Sequence, residues 1–426
     1  MPETLVAPHR TFAALADSAP FRRYYAGQGI SLVGTFLQAS AVNWLVFELT
    51  GSEWMLGVLD AAGTMPGLLV GLLAGAIADR VAPRRMILAM LACQIALAAT
   101  LAGLVGLGAI RIWHLGLILA ASRVCVTFEM PSRQVFLYEV VGRSSLLNAI
   151  ALLSGLFNAA RVVGPALAGL ILAGLGPSMP FALNSLSFLA AIAAILSIDA
   201  GRRRPAHDVR PGILGGLAYL GRDRRVAGLF GVLVFIGVVG MGYMALVPAY
   251  AHKVVRTGPL GYSILLSCSG VGATVGALAV ARLSSIDRKE RIIVAGLAIF
   301  SIGLGLAGLI PPLLAPAAAL WVAGACLMTV GLGAVAVFAT AQTLIQSSVP
   351  DELRGRVAGL WMIAYSGSVP LGSLWAGWAA ERAGVGPVMA GSAAMCLAMS
   401  MAIGVSGRLG SPGLDGSTEI DGHSPA

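Results

Sequence analysis

Long apolar runs recur along the whole chain and are separated by short polar or glycine-containing connections. A helix needs about 20 apolar residues to cross the hydrocarbon core of a bilayer, which is about 30 Å thick. Membrane β-strands are about 10 residues long and alternate in polarity, whereas these runs are longer and do not alternate. The pattern predicts twelve transmembrane helices, over residues 24–48, 54–78, 86–108, 112–138, 146–173, 179–198, 226–250, 259–282, 291–311, 317–347, 356–381 and 386–406.

One long basic connection interrupts this series, with six predicted helices before it and six after it. The two halves also resemble each other: when the first half is shifted by 208 positions, Gln134 meets Gln342 and Gly164 meets Gly372. Two related six-helix halves joined by a long cytoplasmic loop are typical of parallel-repeat transporters, whose binding site lies near the membrane midplane between the halves.

We therefore predict an all-α polytopic membrane protein with two pseudo-symmetric six-helix bundles. The predicted organisation is an N-terminal cytoplasmic segment at 1–20, bundles at 21–198 and 226–406, a cytoplasmic linker at 199–225 and a tail at 407–426. The tail is rich in Gly, Ser, Pro and Asp, a composition that predicts disorder.

Composition excludes several classes of protein. Of the 426 residues, 58% are hydrophobic and only 11% are charged, whereas about 25% are charged in an ordinary soluble domain. With a mean hydropathy of +0.87, the chain cannot cover a water-facing surface. The five cysteines are scattered in apolar runs without metal-site or redox spacing. No soluble enzyme, metal site or cofactor is expected.

The net charge of +9 is explained by topology. If the N-terminus is cytoplasmic, 22 of the 28 lysines and arginines fall in segments on that side and 4 on the other. Cytoplasmic loops of membrane proteins carry such an excess. We predict a multi-pass protein of the bacterial cytoplasmic (inner) membrane with both termini inside, and no nucleic-acid partner.

The connection between the second and third predicted helices carries the strongest local motif. It reads Gly71-Leu-Leu-Ala-Gly75-Ala-Ile-Ala-Asp79-Arg80-Val-Ala-Pro-Arg84-Arg85. Glycines four residues apart share a helix face and let another helix backbone approach closely. A carboxylate at the membrane edge can pair with arginines or cap a facing helix N-terminus.

This motif resembles the loop signature of the major facilitator superfamily at every fixed position, and with the span count and the repeat the resemblance covers residues 20–406. It implies that Asp79 and the arginines form a cytoplasmic latch that holds the outward-facing state closed on the inside. The second-half copy departs from the signature, since Ser284 replaces the aspartate and Glu290 replaces the second arginine.

The run from Asn148 to Gly169 resembles the fifth span of the enterobactin-exporter branch of that superfamily, the transmembrane secretion effectors. Within it, Asn158, Gly164, Pro165 and Gly169 resemble the helix motif of antiporters, with the last glycine one place later than usual. The resemblance implies an exporter of siderophores, macrolides or other secreted metabolites. The same Gly-Pro pair can also be a helix kink that serves packing alone.

Charged residues inside predicted spans are few and mark functional candidates. Arg123 and Arg161 fall near the midplane, Glu129 lies deeper on the span of Arg123, and Asp60 lies in the outer third of the second span. We expect Glu129 to pair with one of these arginines. The four residues form either a proton-coupled charge relay, with Glu129 as first choice for the carrier, or static ion pairs that fix packing.

Polar and aromatic residues in the spans are weaker candidates for a substrate cavity. These are Gln38, Asn43, Tyr243, Gln342 and Gln346. Each can equally make an interhelical hydrogen bond or pack against a neighbouring helix.

The chain has two lysines and no Gly-x-x-x-x-Gly-Lys-Ser/Thr loop, so an intrinsic ATP-driven pump is excluded. We predict a secondary active transporter that exports a small amphipathic molecule (a siderophore, drug or secondary metabolite) by alternating access with proton antiport. A lysophospholipid or other lipid-type transporter and a facilitated-diffusion carrier are alternatives. A polytopic membrane enzyme is disfavoured because no catalytic cluster falls in the spans. The expected partners are the substrate, protons and the bilayer, and the monomer is expected to be functional.

The predicted topology can be tested with single cysteines. A cysteine introduced beside Gly258 should react with an impermeant maleimide added outside the cell, and one beside His207 should react only from the cytoplasm, because arginine bias places these segments on opposite sides. The reverse labelling pattern would contradict the orientation.

Overall fold

The computed structural model describes residues 12–78, 80–199, 219–221, 223–283 and 289–406; the side chains of 72–78, 351, 352 and 406 are outside that description. Within these ranges the chain forms helices and no strands. The first half contains α1 (Ala13–Asp17), α2 (Ala19–Thr50), α3 (Glu53–Ala78), α4 (Pro83–Gly106), α5 (Ile112–Leu175) and α6 (Met179–Leu196). The second half contains α7 (Arg224–Val254), α8 (Pro259–Arg282), α9 (Glu290–Leu309), α10 (Pro316–Ser348), α11 (Asp351–Ala383) and α12 (Val385–Ser406).

The 64-residue helix α5 supplies two of the predicted spans. The two spans predicted at 112–138 and 146–173 are both present, and Gly142 is the turn between them. The helix continues to Gly142 and turns at this residue alone, with φ of 70° and ψ of 178°. A single glycine is sufficient because it adopts this conformation without the steric cost of a Cβ atom.

Short sequence signals set the other helix ends. Proline occupies the first turn of α4, α6, α8 and α10, where its missing N–H has no helical partner to lose. Gly51, with φ of 62°, ends α2 in the left-handed conformation. The Asp223 carboxylate caps α7 by accepting from the Arg225 and Val226 amides at 2.9 and 3.1 Å.

Helix α7 is irregular, which the apolar run at 226–250 did not predict. Two π-helical segments, Ile236–Gly240 and Tyr250–Val254, interrupt its α-helical hydrogen bonding. Gly242, between them, lies against the backbone of Gly372 on α11, where an added Cβ would come within 2.4 Å of the carbonyl oxygen. The irregular backbone therefore coincides with a close crossing of α7 and α11.

The spans connect two faces of the molecule. We call the face with connections 51–52, 107–111 and 176–178 the distal face, and the face with Gly142 and connections 197–199 and 349–350 the proximal face. Helices α2 to α6 form the first bundle and α7 to α12 the second, and the main contacts between bundles pair α3 with α11 and α5 with α8.

The hydrophobic core differs between the two faces. One cluster of buried side chains is continuous across both bundles, and its first-bundle members, such as Trp44, Leu56 and Phe181, lie in the distal half. A second cluster, which includes Phe21 and Phe136, lies in the proximal half and contains first-bundle residues only. The bundles are thus joined on the distal side and have separate cores on the proximal side.

The turn at Gly142 generates a stability prediction. Gly142→Ala forces a Cβ into a backbone conformation that side chains avoid, which should destabilise the fold by about 1–3 kcal/mol. The thermal unfolding midpoint of the purified protein should fall relative to Gly174→Ala, a matched change in α5 where a Cβ meets open space. Equal midpoints for the two variants would contradict the assigned turn.

Candidate functional site

Two cavities lie at mid-depth. The first, of about 210 Å³, is enclosed by α2 to α6 within the first bundle. The second, of about 230 Å³, lies between the bundles and is lined by α2, α3 and α5 on one side and α7, α8 and α11 on the other. They share Ala39, Asn43 and Asp60, so they are adjoining compartments of one central site.

Three charged side chains line this central site. Asp60 on α3 is half-buried and accepts a hydrogen bond from Ser373 Oγ on α11 at 2.6 Å, which links the two bundles. Arg123 lines the first compartment and Arg161 the second. Among the described residues, neither guanidinium has a salt-bridge partner. The structure thus brings three of the four predicted charge-relay residues together.

Glu129 lies elsewhere, and its expected pairing with Arg123 or Arg161 is wrong. Its carboxylate pairs with Arg133 Nη2 at 2.5 Å and accepts from Gln94 Nε2 at 3.0 Å. Arg133 also donates to Gln28 on α2. Glu129 pairs with Arg133 and not with Arg123 because Arg133 is one helical turn away, whereas Arg123 is six residues away on the same helix.

The weaker cavity candidates divide. Gln38 and Asn43 line the first compartment, where Gln38 Oε1 accepts from Asn184 Nδ2 at 2.8 Å. Tyr243 is buried beside the compartment between the bundles, with its hydroxyl 3.5 Å from Oγ of Ser269, which lines that compartment. Gln342 and Gln346 are exposed on α10 and line neither compartment.

Sequence reasoning missed several polar residues of the site. Ser269 and Ser373 line the compartment between the bundles, and Asn184 and Ser122 line the other. Serines are common in membrane helices as packing residues, so no sequence signal separates these from the others. Only the helix crossing points identify them.

The antiporter-like motif lies at the contact of α5 with two neighbours. A Cβ on Gly164 would come within 2.5 Å of Phe36 Cβ on α2, and one on Gly169 within 2.5 Å of Ser263 Cβ on α8, in the other bundle. Pro165 lines the compartment between the bundles. The Asn158 amide donates to the Ser154 carbonyl within its own helix at 2.9 Å.

The latch residues lie at the proximal face. Arg84 Nη2 donates to the Leu196 carbonyl at the end of α6 at 2.9 Å, where a cation is favourable. Arg80 and Arg85 are exposed, and a Cβ on Gly71 would meet open space. Asp79 and the surroundings of Gly75 lie outside the described residues.

Polar contacts that the sequence did not indicate connect the bundles at the distal face. Lys253 Nζ on α7 lies 2.6 Å from Glu53 Oε1 on α3 and donates to the Gly51 carbonyl at 3.3 Å. The carboxylate of Glu381 on α11 accepts from Ser52 Oγ and the Trp54 amide at 3.0 and 3.1 Å. We call these contacts the distal clamp.

Aromatic rings line the inner side of the clamp. The His252 ring lies 5.6 Å from Phe47 and 6.5 Å from Trp44, and Trp44 lies 5.5 Å from Tyr262. The Tyr262 hydroxyl donates to the Ser40 carbonyl at 3.2 Å. These residues come from both bundles and close the distal end of the central site.

In the proximal half, the buried apolar side chains of the two bundles form separate clusters. By contrast, a Cβ on distal Gly57 would come within 2.3 Å of the Ser373 carbonyl oxygen in the opposite bundle. The central site is therefore closed toward the distal face, while toward the proximal face the cores of the two bundles are separate.

A two-bundle helical membrane protein with a charged central site closed on one side belongs to the class of membrane transporters. Residues 9–416 match the family model described as transmembrane secretion effector. This chain belongs to that family, which confirms both the predicted superfamily resemblance and the fold class, and its members are transporters rather than enzymes.

Curated relatives are similar along most of the chain. The multidrug efflux pump Tap of Mycolicibacterium fortuitum is 27% identical over 88% of this chain and 89% of its own. Tap of Mycobacterium tuberculosis is 28% identical over 84% and 85%. The enterobactin exporter EntS of Escherichia coli is 26% identical over 52% of each chain.

Solved structures show the same fold at low identity. The nucleoside transporter NupG is 12% identical, with a TM-score of 0.73 over 91% of this chain and 98% of its own. A bacterial homologue of the iron transporter ferroportin is 14% identical, with a TM-score of 0.69 over 90% and 98%.

The contact of Gly169 with α8 generates a conformational prediction. We call the contact surface between the two bundles the seam. Gly169→Ala should loosen the distal part of the seam, because its Cβ would also come within 3.1 Å of the Leu260 backbone. In a chain whose native cysteines are replaced by alanine, a cysteine at Asn43 should react faster with an impermeant maleimide added at the distal side. Gly174→Ala is the matched control, and equal reaction rates would argue against the seam.

Proposed function

We propose that this transporter exports a small amphipathic molecule across the bacterial cytoplasmic membrane by alternating access, coupled to proton entry. The proximal face is cytoplasmic, both termini are inside, and the monomer is the functional unit. The predicted domain organisation also remains part of this proposal: a cytoplasmic segment at 1–20, bundles at 21–198 and 226–406, a cytoplasmic linker at 199–225 and a tail at 407–426. So does the cytoplasmic latch around Asp79.

The observation that carries the proposal is the asymmetry of the seam between the bundles. The cores of the two bundles are separate toward the proximal face, while the distal clamp, the aromatic residues and glycine crossings close the central site at the other face. Such an arrangement suits a carrier that loads substrate from the proximal side and releases it after the bundles rock. The multidrug efflux pump and the enterobactin exporter among the relatives support loading from the cytoplasm and outward release.

Asp60 is the carboxylate best situated to couple protons to this movement. It borders both compartments, and its bond to Ser373 crosses the seam that must open on the distal side. Arg123 is the cation whose charge acts on it. Protonation would weaken that attraction, so the proton would alter a contact between moving parts.

Glu129 is the weaker candidate, although its position in the sequence favoured it. Its side chain is 4% exposed and is held by Arg133 and Gln94 within the first bundle. Neither contact crosses the seam. Neutralising it would leave Arg133 unpaired inside a bundle, which is costly whether or not a proton is carried.

A lipid-type substrate is the second candidate function, and one observation favours it. An apolar recess of about 370 Å³ opens beside the contact of α5 with α8, lined by Leu170, Ile264 and Met328 among others. A single acyl chain fits a recess of this character at the edge of the seam. The headgroup would then lie in the central site.

The coupling role of Asp60 predicts a split between two modes of transport. In cells loaded with ethidium or carboxyfluorescein, Asp60→Asn should abolish uphill efflux but leave downhill exchange largely intact, because asparagine mimics only the protonated state. A protonophore should collapse efflux by the wild type. The membrane potential alone supplies about 2.3 kcal/mol per charge per 100 mV.

Two further variants make the result decisive. Glu48→Gln neutralises an exposed carboxylate on α2 and should leave both modes unchanged. Glu129→Gln should lower the amount of folded protein more than it alters coupling. Uphill efflux that survives in Asp60→Asn would refute Asp60 as the proton carrier, and efflux that survives the protonophore would refute proton antiport itself.

A further inference from the structure

The charge balance of the central site identifies a substrate class. Among the residues lining its two compartments, the charged ones are Asp60, Arg123 and Arg161. With Asp60 ionised, two guanidinium groups face one carboxylate. The second guanidinium has no counter-charge among the described residues, although a charge inside the membrane normally pairs with another group.

The two arginines are not equivalent. Arg123 shares the first compartment with Asp60 and is the arginine that acts electrostatically on its carboxylate. Arg161 lies in the compartment between the bundles, where its described neighbours include the hydroxyl-bearing Tyr243 and Tyr365. Arg161 is therefore the guanidinium left for a ligand.

We propose that the transported molecule carries a singly charged anionic group, such as a carboxylate, sulfonate or phosphodiester, and that Arg161 binds it in the compartment between the bundles. The proposal rests on the transporter function proposed above and specifies its substrate. With Asp60 and Arg123 of opposite charge in the first compartment and the anion bound to Arg161 in the second, the loaded site carries no net charge. A neutral site is the least costly charge state to carry between the two faces of a membrane.

The surroundings of Arg161 suit an amphipathic anion. A guanidinium offers paired N–H donors that match the geometry of a carboxylate or phosphate. The compartment also presents the hydroxyl groups of Ser40 and Ser269 and the apolar side chains of Phe36 and Leu266. The charged end of the molecule would bind Arg161 while its apolar part packs against these side chains.

The position of Arg161 also links binding to the seam. A Cβ on Gly270 of α8 would lie 3.2 Å from the Arg161 carbonyl oxygen, and Ser267 Oγ donates to the next carbonyl, that of Val162, at 3.1 Å. The residue that binds the anion is thus part of the contact between the two bundles. An anion bound there would lie beside a contact between the two bundles.

Binding can be measured without transport, using three probes that share an aromatic scaffold. These are 1-naphthalenesulfonate, 1-naphthalenemethanol and 1-naphthylmethylammonium. The full-length protein in phosphatidylcholine nanodiscs, which carry no net charge, should bind the sulfonate most tightly, with the ammonium weakest. Arg161→Gln should weaken sulfonate binding about tenfold or more, the equivalent of about 1.4 kcal/mol. Binding of the neutral alcohol should not change.

Matched variants separate charge recognition from misfolding. Arg161→Lys should restore part of the sulfonate affinity, because the positive charge remains. Arg382→Gln removes an arginine that stacks on Trp378 at the distal end of α11, and should leave sulfonate binding unchanged. Unchanged sulfonate affinity in Arg161→Gln, or a wild type that prefers the ammonium or does not discriminate, would overturn the proposal.

A fourth probe distinguishes two sources of the anion. Lysophosphatidylglycerol has the same single negative charge on a lipid, and Arg161-dependent binding of either anion supports the proposal. Binding of the lipid alone would assign the site to a single-chain lipid, and binding of the sulfonate to a soluble amphipath. Efflux in cells with no anion preference would overturn this inference alone, whereas Arg161-dependent anion binding without efflux would overturn only the exporter function.

Discussion

Close approach of helix backbones is the interaction on which the rest of this structure depends. Lipid tails are as apolar as leucine, so burial of large apolar side chains contributes little to the association of membrane helices. Close packing of the helices must supply the attraction instead. At the crossing of α8 and α10, a Cβ on Gly272 would come within 1.8 Å of the Met328 carbonyl oxygen. Bundles held by contacts this close move as rigid units, because side-chain rearrangement cannot absorb a change in helix spacing.

The contact between the bundles is built differently from their interiors. Its tight glycine crossings, at Gly57, Gly169 and Gly377, lie in the distal half together with aromatic and polar contacts. Lys253, the cation of the distal clamp, is 46% exposed, whereas the side chain of its partner Glu53 is 4% exposed. The cost of removing the carboxylate from water offsets much of the attraction in such a pair. The seam is therefore held by many modest contacts, whereas the bundle interiors are held by backbone packing.

Most of the architecture was predictable because hydrocarbon imposes a fixed length on each apolar run. The positions of the spans, the two-bundle arrangement and the family all follow from hydropathy and one loop motif. The turn at Gly142 was not predictable, since one glycine among 55 has no distinguishing neighbour in the sequence. Depth along a helix placed Arg123 and Arg161 at one level, but it put Asp60 in the outer third of its span, whereas Asp60 borders both compartments of the central site. It failed for Glu129, because depth does not tell which side of a helix faces the cavity and which faces its own bundle.

Partners across the seam were the least predictable part of the site. Ser373 and Asp60 are separated by 313 positions, and Lys253 and Glu53 by 200, so no local pattern connects them. Their separation also explains why the central site can respond to its contents. Asp60 is bonded to the second bundle and acted on by Arg123 of the first, while Arg161 lies where α5 touches α8. A change in charge at this level therefore alters contacts between the bundles directly, and no path through the bundle interiors is required. Electrostatic energy falls off with distance, so the charges with most effect on the contact between Asp60 and Ser373 are those that line the same central site.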